Sequence, residues 1–253
     1  MNPKYRTDLM NYFVYDNGIY RTSENDGSSI KKNEFFQTEM QNKNDHNLNK
    51  CAGLSLLEIK KNHVGVIYGV NIGNLAIYSS RCCEAVFVIE KNIENVKSLK
   101  KRMEVDIIKN IFLINSNIDE FFLKDYFDFA IINGSISKIS QRPLITSQAK
   151  FFKNVKISLK ENGKILLGDE NALSFENIIS GKLFSNSGKH FHSYIGYRNL
   201  LSEAGFLKID SYASFPDHVF PQKIISFNRT ENLLSFPINN KQFQITFLKK
   251  VIR

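Results

Sequence analysis

The chain has 253 residues, 42% of them hydrophobic and 23% charged, which suits one large α/β domain with appendages and excludes disordered and fibrous classes. Lysine and arginine number 34 against 25 acids; a net charge of +9 would attract a phosphorylated small molecule, nucleic acid or an anionic surface, but charge of this kind reads first as a solvated lysine-rich surface. The basic residues are spread over Lys60–Lys61, Lys97–Arg102, Lys150–Lys160 and Lys249–Arg253, with no basic arm, so a nucleic-acid partner is not expected. Cys51, Cys82 and Cys83 form neither a CxxC pair nor a disulfide framework, and no apolar run approaches the roughly 18 residues of a membrane span. The opening MNPKYRTDLMNYF lacks a charged-then-apolar plan, so a cytoplasmic protein is expected.

Residues 1–50 are polar and dotted with aromatics, with loop-like centres at SENDGSS and QNKNDHNLNK. They predict short helices and loops, an extension that covers the active site of a main domain running from 51 to 253. From residue 51 the pattern alternates as βα units do. AGLSLLEIKK (52–61) predicts a helix, HVGVIYG (63–69) a buried strand, and IGNLAIYSSRCC (72–83) a helix. AVFVIE (85–90) is a second strand, NIENVKSLKKRMEV (92–105) an amphipathic helix, IFLIN (111–115) a third strand, and FDFAIINGS (127–135) holds a fourth. Residues 145–160 predict a helix, ENGKILLG (161–168) a turn and fifth strand, and residues 193–204 a helix ending at Gly205. Two more strands are expected in FPQKIISFN (220–228) and KQFQITFLKK (241–250). Alternation of this kind predicts a mostly parallel sheet with helices on both faces, binding its ligand beyond the carboxyl ends of the strands.

The stretch VIYGVNIGNL (66–75) falls at that place. Gly69 permits a positive φ in a tight turn, and Gly73 lets the next helix start close to ligand and sheet. Glu90, at the tip of the second strand, stands where an acid accepts hydrogen bonds from both ribose hydroxyls. The absence of a third glycine, with Asn71 between the two, argues against a dinucleotide phosphate.

In this order the glycine loop, Glu90, NSNIDEFF, FDFAIINGSI and LKENGKILLG resemble the class I S-adenosylmethionine-dependent methyltransferases over about residues 60–228. The resemblance implies a Rossmann-like fold and S-adenosyl-L-methionine as cofactor. It implies that Gly69, Asn71 and Gly73 face the methionine part of the cofactor, that Glu90 holds the ribose, and that Asn117, Ile118 and Asp119 lie against the adenine. Asn133, ending the fourth strand, joins the expected cofactor contacts. A narrower resemblance rests on Asp169-Glu170-Asn171, on the helix from Leu200 to Phe206 (LLSEAGF), and on FPDHVFP (215–221). These are similar to a methyltransferase group of bacterial capsule and surface-polysaccharide gene clusters, which implies a sugar, nucleotide-linked or phosphorylated acceptor.

Two departures stand out. Ile67 occupies the position where the family has an acid for the methionine amino group, and Asn71 replaces the second loop glycine. A catalytically inactive partner subunit of the same fold is therefore the alternative. A homodimer and a complex with a partner methyltransferase both stay open. Transfer to a hydroxyl benefits from a general base. His192 is the first candidate, following the Ser/Asn/Gly stretch 185–189, with Glu170 after the fifth strand as the second; no metal-ligand spacing stands out, so no metal is expected.

Overall fold

The structure, a computed structural model, describes residues 3–22, 48–69, 73–118, 121, 123–133, 145–170, 192–215, 223–226 and 246–252. Apolar β-branched runs form its centre. Strands β3 (Val64–Tyr68), β4 (Ala85–Glu90), β5 (Ile111–Asn115), β6 (Phe127–Asn133) and β7 (Leu159–Glu170) build the parallel middle of a ten-stranded sheet. Burial on both faces explains why these strands read as continuous apolar runs rather than alternating ones.

Strand order is β1-β2-β5-β4-β3-β6-β7-β10-β8-β9, with β1 (Val14–Asp16), β2 (Ile19–Arg21), β8 (Lys208–Phe215), β9 (Lys223–Ser226) and β10 (Thr246–Ile252) completing it. From β3 the chain winds outward through β4 and β5, then returns to place β6 on the other side of β3. That reversal makes the crevice between β3 and β6 the switch point. Strand β10 runs antiparallel between β7 and β8 and pairs with both.

Two cores sandwich the sheet. On one face Val66, Tyr68, Phe87, Ile114, Ile132 and Leu167 pack under helices α1 (Pro3–Met10), α4 (Ile145–Ser158) and α5 (Tyr194–Glu203). On the other, Ile67, Val88, Leu113, Ile131 and Leu166 meet α2 (Gly73–Cys82), α3 (Ile93–Val105) and a 3-10 segment, Leu48–Leu57. Helix α3 begins at Asn92, whose side chain caps the amide of Glu94, and α5 begins at Ser193, which caps Gly196.

Three sequence expectations need correction. The helix expected over 52–61 is instead the 3-10 segment ending at Leu57. Cys51, Leu54 and Leu57 share one core at a spacing of three, the period at which a 3-10 turn brings side chains into line, and Glu58 then takes φ 51°, outside the helical region. Strand β8 was not expected, because its fully buried positions include Ser211, Ala213 and Ser214 rather than an apolar series. Residues 14–21 form a hairpin rather than helix and loop. Asn17 and Gly18 take φ 46° and 80° in a two-residue loop, the Asn-Gly turn that matches strand twist.

That hairpin adds to the sheet, β2 lying parallel to β5, while Tyr5 of α1 packs edge-on against Phe87 and Phe112 at 5.9 and 5.6 Å. Residues 23–47 lie outside the described residues. So do SNSGK, FPDHVFP apart from Phe215, and most of the DENALSF segment.

Candidate active site

Gly69 leaves β3 with φ +85°, and its N–H donates to the Ile89 carbonyl at 2.8 Å. The loop is thus fastened to β4 one residue before Glu90. A Cβ built on Gly69 would meet nothing within 4 Å, so there is open space beside this residue at the carboxyl end of β3. Gly73 is buried at the start of α2, where a Cβ would lie 3.0 Å from Leu99 Cδ1 and Arg102 Nη1, so its glycine permits close packing of α2 on α3. Arg102 also donates to Asn74 Oδ1 at 2.6 Å, tying the first turn of α2 to α3. Asn71 and Asp119 lie outside the described residues.

Glu90 ends β4 half-buried, and its carboxylate accepts the Asn92 amide at 2.7 Å. Asn115, not anticipated from the sequence, braces the same turn: its side-chain amide donates to the carbonyls of Glu90 at 2.9 Å and Lys91 at 2.8 Å. Register puts Glu90 opposite Asn115, and Asn115 opposite Arg21 of the hairpin. The strand-end asparagine that fastens its neighbour's turn is a signal a sequence reading can use, since IFLIN ends on it. Asn117 and Ile118 follow, Asn117 half-buried and Ile118 buried at 7% exposure. Asn133 ends β6 opposite Gly168 and Glu170 ends β7 opposite Thr246; only their backbones are described.

Ile67 does not face open space. It is 3% exposed and packs in the core with Leu75, Val88 and Ile131. Tyr68, beside it, points to the opposite face, edge-on to Phe151 at 5.2 Å, and burial pushes its phenol pKa well above the ordinary value.

The carboxyl end of β7 carries a second polar group. Asp169, 2% exposed, continues the inward series Ile165 and Leu167 and accepts a short hydrogen bond from the Tyr197 hydroxyl of α5. The Tyr197 ring meets the His192 ring edge-on at 5.0 Å, and His192 Nε2 lies 2.6 Å from the Gln148 Oε1 of α4. His192 therefore sits among groups from β7, α4 and α5 at the ligand-binding end of the sheet; His190 lies outside the described residues. Among the described residues no cluster of three or more His, Cys, Asp or Glu could hold a metal ion, and no helix is long and apolar enough to cross a membrane.

No family model matches the chain, and no curated protein matches it. Solved structures do. A methyltransferase from Aquifex aeolicus superposes with a TM-score of 0.58 at 13% identity, covering 87% of this chain and 99% of its own. One from Thermotoga maritima gives 0.56 at 16% identity, over 87% and 98% of the two chains. The fold is that of the class I S-adenosylmethionine-dependent methyltransferases. The N-methyltransferase NodS of Bradyrhizobium japonicum has it too, with a TM-score of 0.56, 12% identity and coverage of 88% and 99%. At the carboxyl end of the central strands the structure thus brings together the turn at Gly69 and the carboxylate of Glu90, while Ile67 adds no acid there.

Proposed function

We propose that the chain is an S-adenosylmethionine-dependent methyltransferase acting on a small hydroxyl-bearing acceptor. The observation that carries this is the coupling of Gly69 to the Glu90 turn beside the switch point, through the 2.8 Å bond from β3 to Ile89 of β4. A glycine turn with open space beside it and a strand-end carboxylate one residue from its anchor form a cradle for an aminoacyl-nucleoside. Gly69, Asn71, Gly73, Glu90, Asn117, Ile118 and Asn133 would hold the cofactor, and residues 1–50 would cover the site. When bound, the cofactor supplies an electrophilic methyl group. The chain then has to align the acceptor oxygen with that methyl and remove the proton.

The finer reading is a sugar, nucleotide-linked or phosphorylated intermediate of bacterial capsule or surface-glycan assembly, methylated on oxygen in the cytoplasm. The net charge of +9 and the segments Asp169-Glu170-Asn171 and FPDHVFP support it. Titration calorimetry with S-adenosylmethionine and its demethylated product tests the core of the proposal. Wild-type protein binds both, and Glu90→Ala weakens binding about 10-fold to 100-fold, the worth of one charged hydrogen bond. No binding at millimolar cofactor, or an unaffected Glu90→Ala, rejects it.

One observation favours a second reading. Ile67 is built into the apolar core where the family keeps an acid, as a subunit that no longer catalyses would tolerate. In that reading the chain is a partner or binding subunit, and Ile67→Asp would destabilise the core without improving cofactor affinity.

A further inference from the structure

The turn that presents Glu90 is held by a side chain of the neighbouring strand, Asn115 of β5. We propose that Asn115 is a positioning residue for cofactor binding: it fixes the peptide unit between Lys91 and Asn92, and that unit's N–H holds the Glu90 carboxylate in the orientation that receives the ribose hydroxyls. The inference rests on the methyltransferase reading above and deepens it.

Three hydrogen bonds carry it. The Asn115 side-chain amide donates to the Glu90 carbonyl at 2.9 Å and to the Lys91 carbonyl at 2.8 Å. The Asn92 N–H donates to Glu90 Oε1 at 2.7 Å. The Lys91 carbonyl and the Asn92 N–H belong to one planar trans peptide unit, in which C=O and N–H point in opposite directions. Holding the carbonyl toward Asn115 therefore turns the N–H away from it, to where the carboxylate accepts. A flip of this one unit would break two bonds together, Asn115 to Lys91 and Asn92 to Glu90, and the carboxylate would lose the donor that orients it.

The chemistry at 115 has to be an amide. Asparagine brings two donor protons on one nitrogen, and this nitrogen meets both carbonyls. An aspartate would set acceptor oxygens against acceptor oxygens, and an apolar side chain would offer nothing to either carbonyl. The amide's orientation is dictated in the same way, since turning it over would bring Oδ1 against those carbonyls. Asn115 is 4% exposed and lies in register between Glu90 of β4 and Arg21 of β2, so its backbone is held from both sides. The flanks of the turn are fastened as well: the Ser116 N–H donates to the Glu90 carbonyl at 3.3 Å, and the Asn92 side chain accepts from the Glu94 amide at 3.0 Å to start α3. Between these fixed points the 91–92 peptide is the link from Asn115 to the carboxylate.

A double-mutant cycle on the full chain tests this, read by calorimetry with S-adenosylhomocysteine. Asn115→Leu, similar in size and without donors, should weaken binding about 10-fold, the worth of one or two buried hydrogen bonds. In a Glu90→Ala background the same change should cost less than about 2-fold, because no carboxylate is left to orient. Equal losses in the two backgrounds would make Asn115 a general support of the loop and overturn the proposal, as would unchanged binding in Asn115→Leu. Asn115→Ser, which cannot reach both carbonyls, takes its place in the cycle if Asn115→Leu does not fold. Hydrogen exchange needs no variant: the Asn92 amide of the wild type should exchange slowly, and fast exchange there also overturns the proposal. Failure of the two claims is distinguishable. A wild type that binds no S-adenosylhomocysteine at millimolar concentration rejects the methyltransferase reading, whereas one that binds and loses nothing in Asn115→Leu rejects only the role of Asn115.

Discussion

Two glycines, one in β3 and one just past its end, show how differently one residue type is used. Gly65, within β3, lies against the face of Phe129, where an added Cβ would stand 2.0 Å from Cζ. Gly65→Ala must displace a ring that is 1% exposed, so a loss of about 1–3 kcal/mol is expected in urea denaturation. Adding Phe129→Leu should make the double variant's loss smaller than the sum of the two, and strict additivity would show that the ring is not what alanine meets. Gly69, four residues on, has room for a Cβ but not the right φ, so its alanine variant suffers backbone strain of about 1–2 kcal/mol with no ring to relieve it. The thiols divide in the same local way. Cys83 donates to the Ser79 carbonyl at 2.9 Å, and burial pushes its pKa up to about 12, while Cys82 is exposed. A maleimide near neutral pH should label Cys82 quickly and leave buried Cys83 and Cys51 until unfolding, as mass spectrometry of Cys82→Ser would verify; fast labelling that persists in that variant contradicts the assignment. What the sequence displays at this scale is what backbone geometry demands: Gly69 and Glu90 are recognisable because a turn and a strand tip need them. Gln148, Asp169 and Tyr197 are not, because three distant elements bring them together and each alone reads as an ordinary core or helix residue. The Asp169-Glu170-Asn171 segment singled out Asp169 without showing its partners; its parity with Ile165 and Leu167 is what turns it inward.

At the scale of elements, the central strands were legible because double-sided burial writes an unbroken apolar run. IFLIN and AVFVIE became β5 and β4 with the expected bounds. The edges were less so. Strand β8 buries serines, and the β1–β2 hairpin has three-residue strands, too short for alternation to show, so only its Asn-Gly turn announces it. Strand β10 fills the gap between β7 and β8 through seven paired positions on each side. Stopping the chain after Ile245 would leave the inner edges of two neighbouring strands unpaired. Such a protein should elute as aggregate in size-exclusion chromatography and lose a cooperative melt; a monomer with an unaltered melt would mean that β10 is dispensable to the sheet.

Across the whole molecule the two ends of the sheet do different work. The carboxyl ends carry the open turn, Glu90 and the His192 group, while the amino ends are tied together by polar contacts. Asp128, at the start of β6, accepts the Val64 amide and the Lys160 ammonium, both at 2.8 Å, linking β6 to β3 and β7. Tyr126 donates to Asp8 at 2.7 Å, fastening α1 to the same end. His63 lies among these groups, its Nδ1 accepting the Lys60 amide at 3.2 Å, which requires that nitrogen to be unprotonated. Burial lowers its pKa below the ordinary 6.5; Lys60, Lys160 and Lys164 lower it further, and Asp128 offsets part of this. The unfolded chain therefore binds the proton more readily than the folded one. The associated stability is present in full above the unfolded value of 6.5 and declines as the pH falls through the folded value, below which the decline levels off. Carboxylates elsewhere add their own acid dependence, so the informative quantity is the difference between wild type and His63→Gln. Urea unfolding from about pH 8 to about pH 5 should show that difference constant above neutrality, then shifting against the wild type on acidification. A difference that stays flat across the range would mean that His63 titrates alike in both states and that the amino-end contacts hold it without regard to its charge.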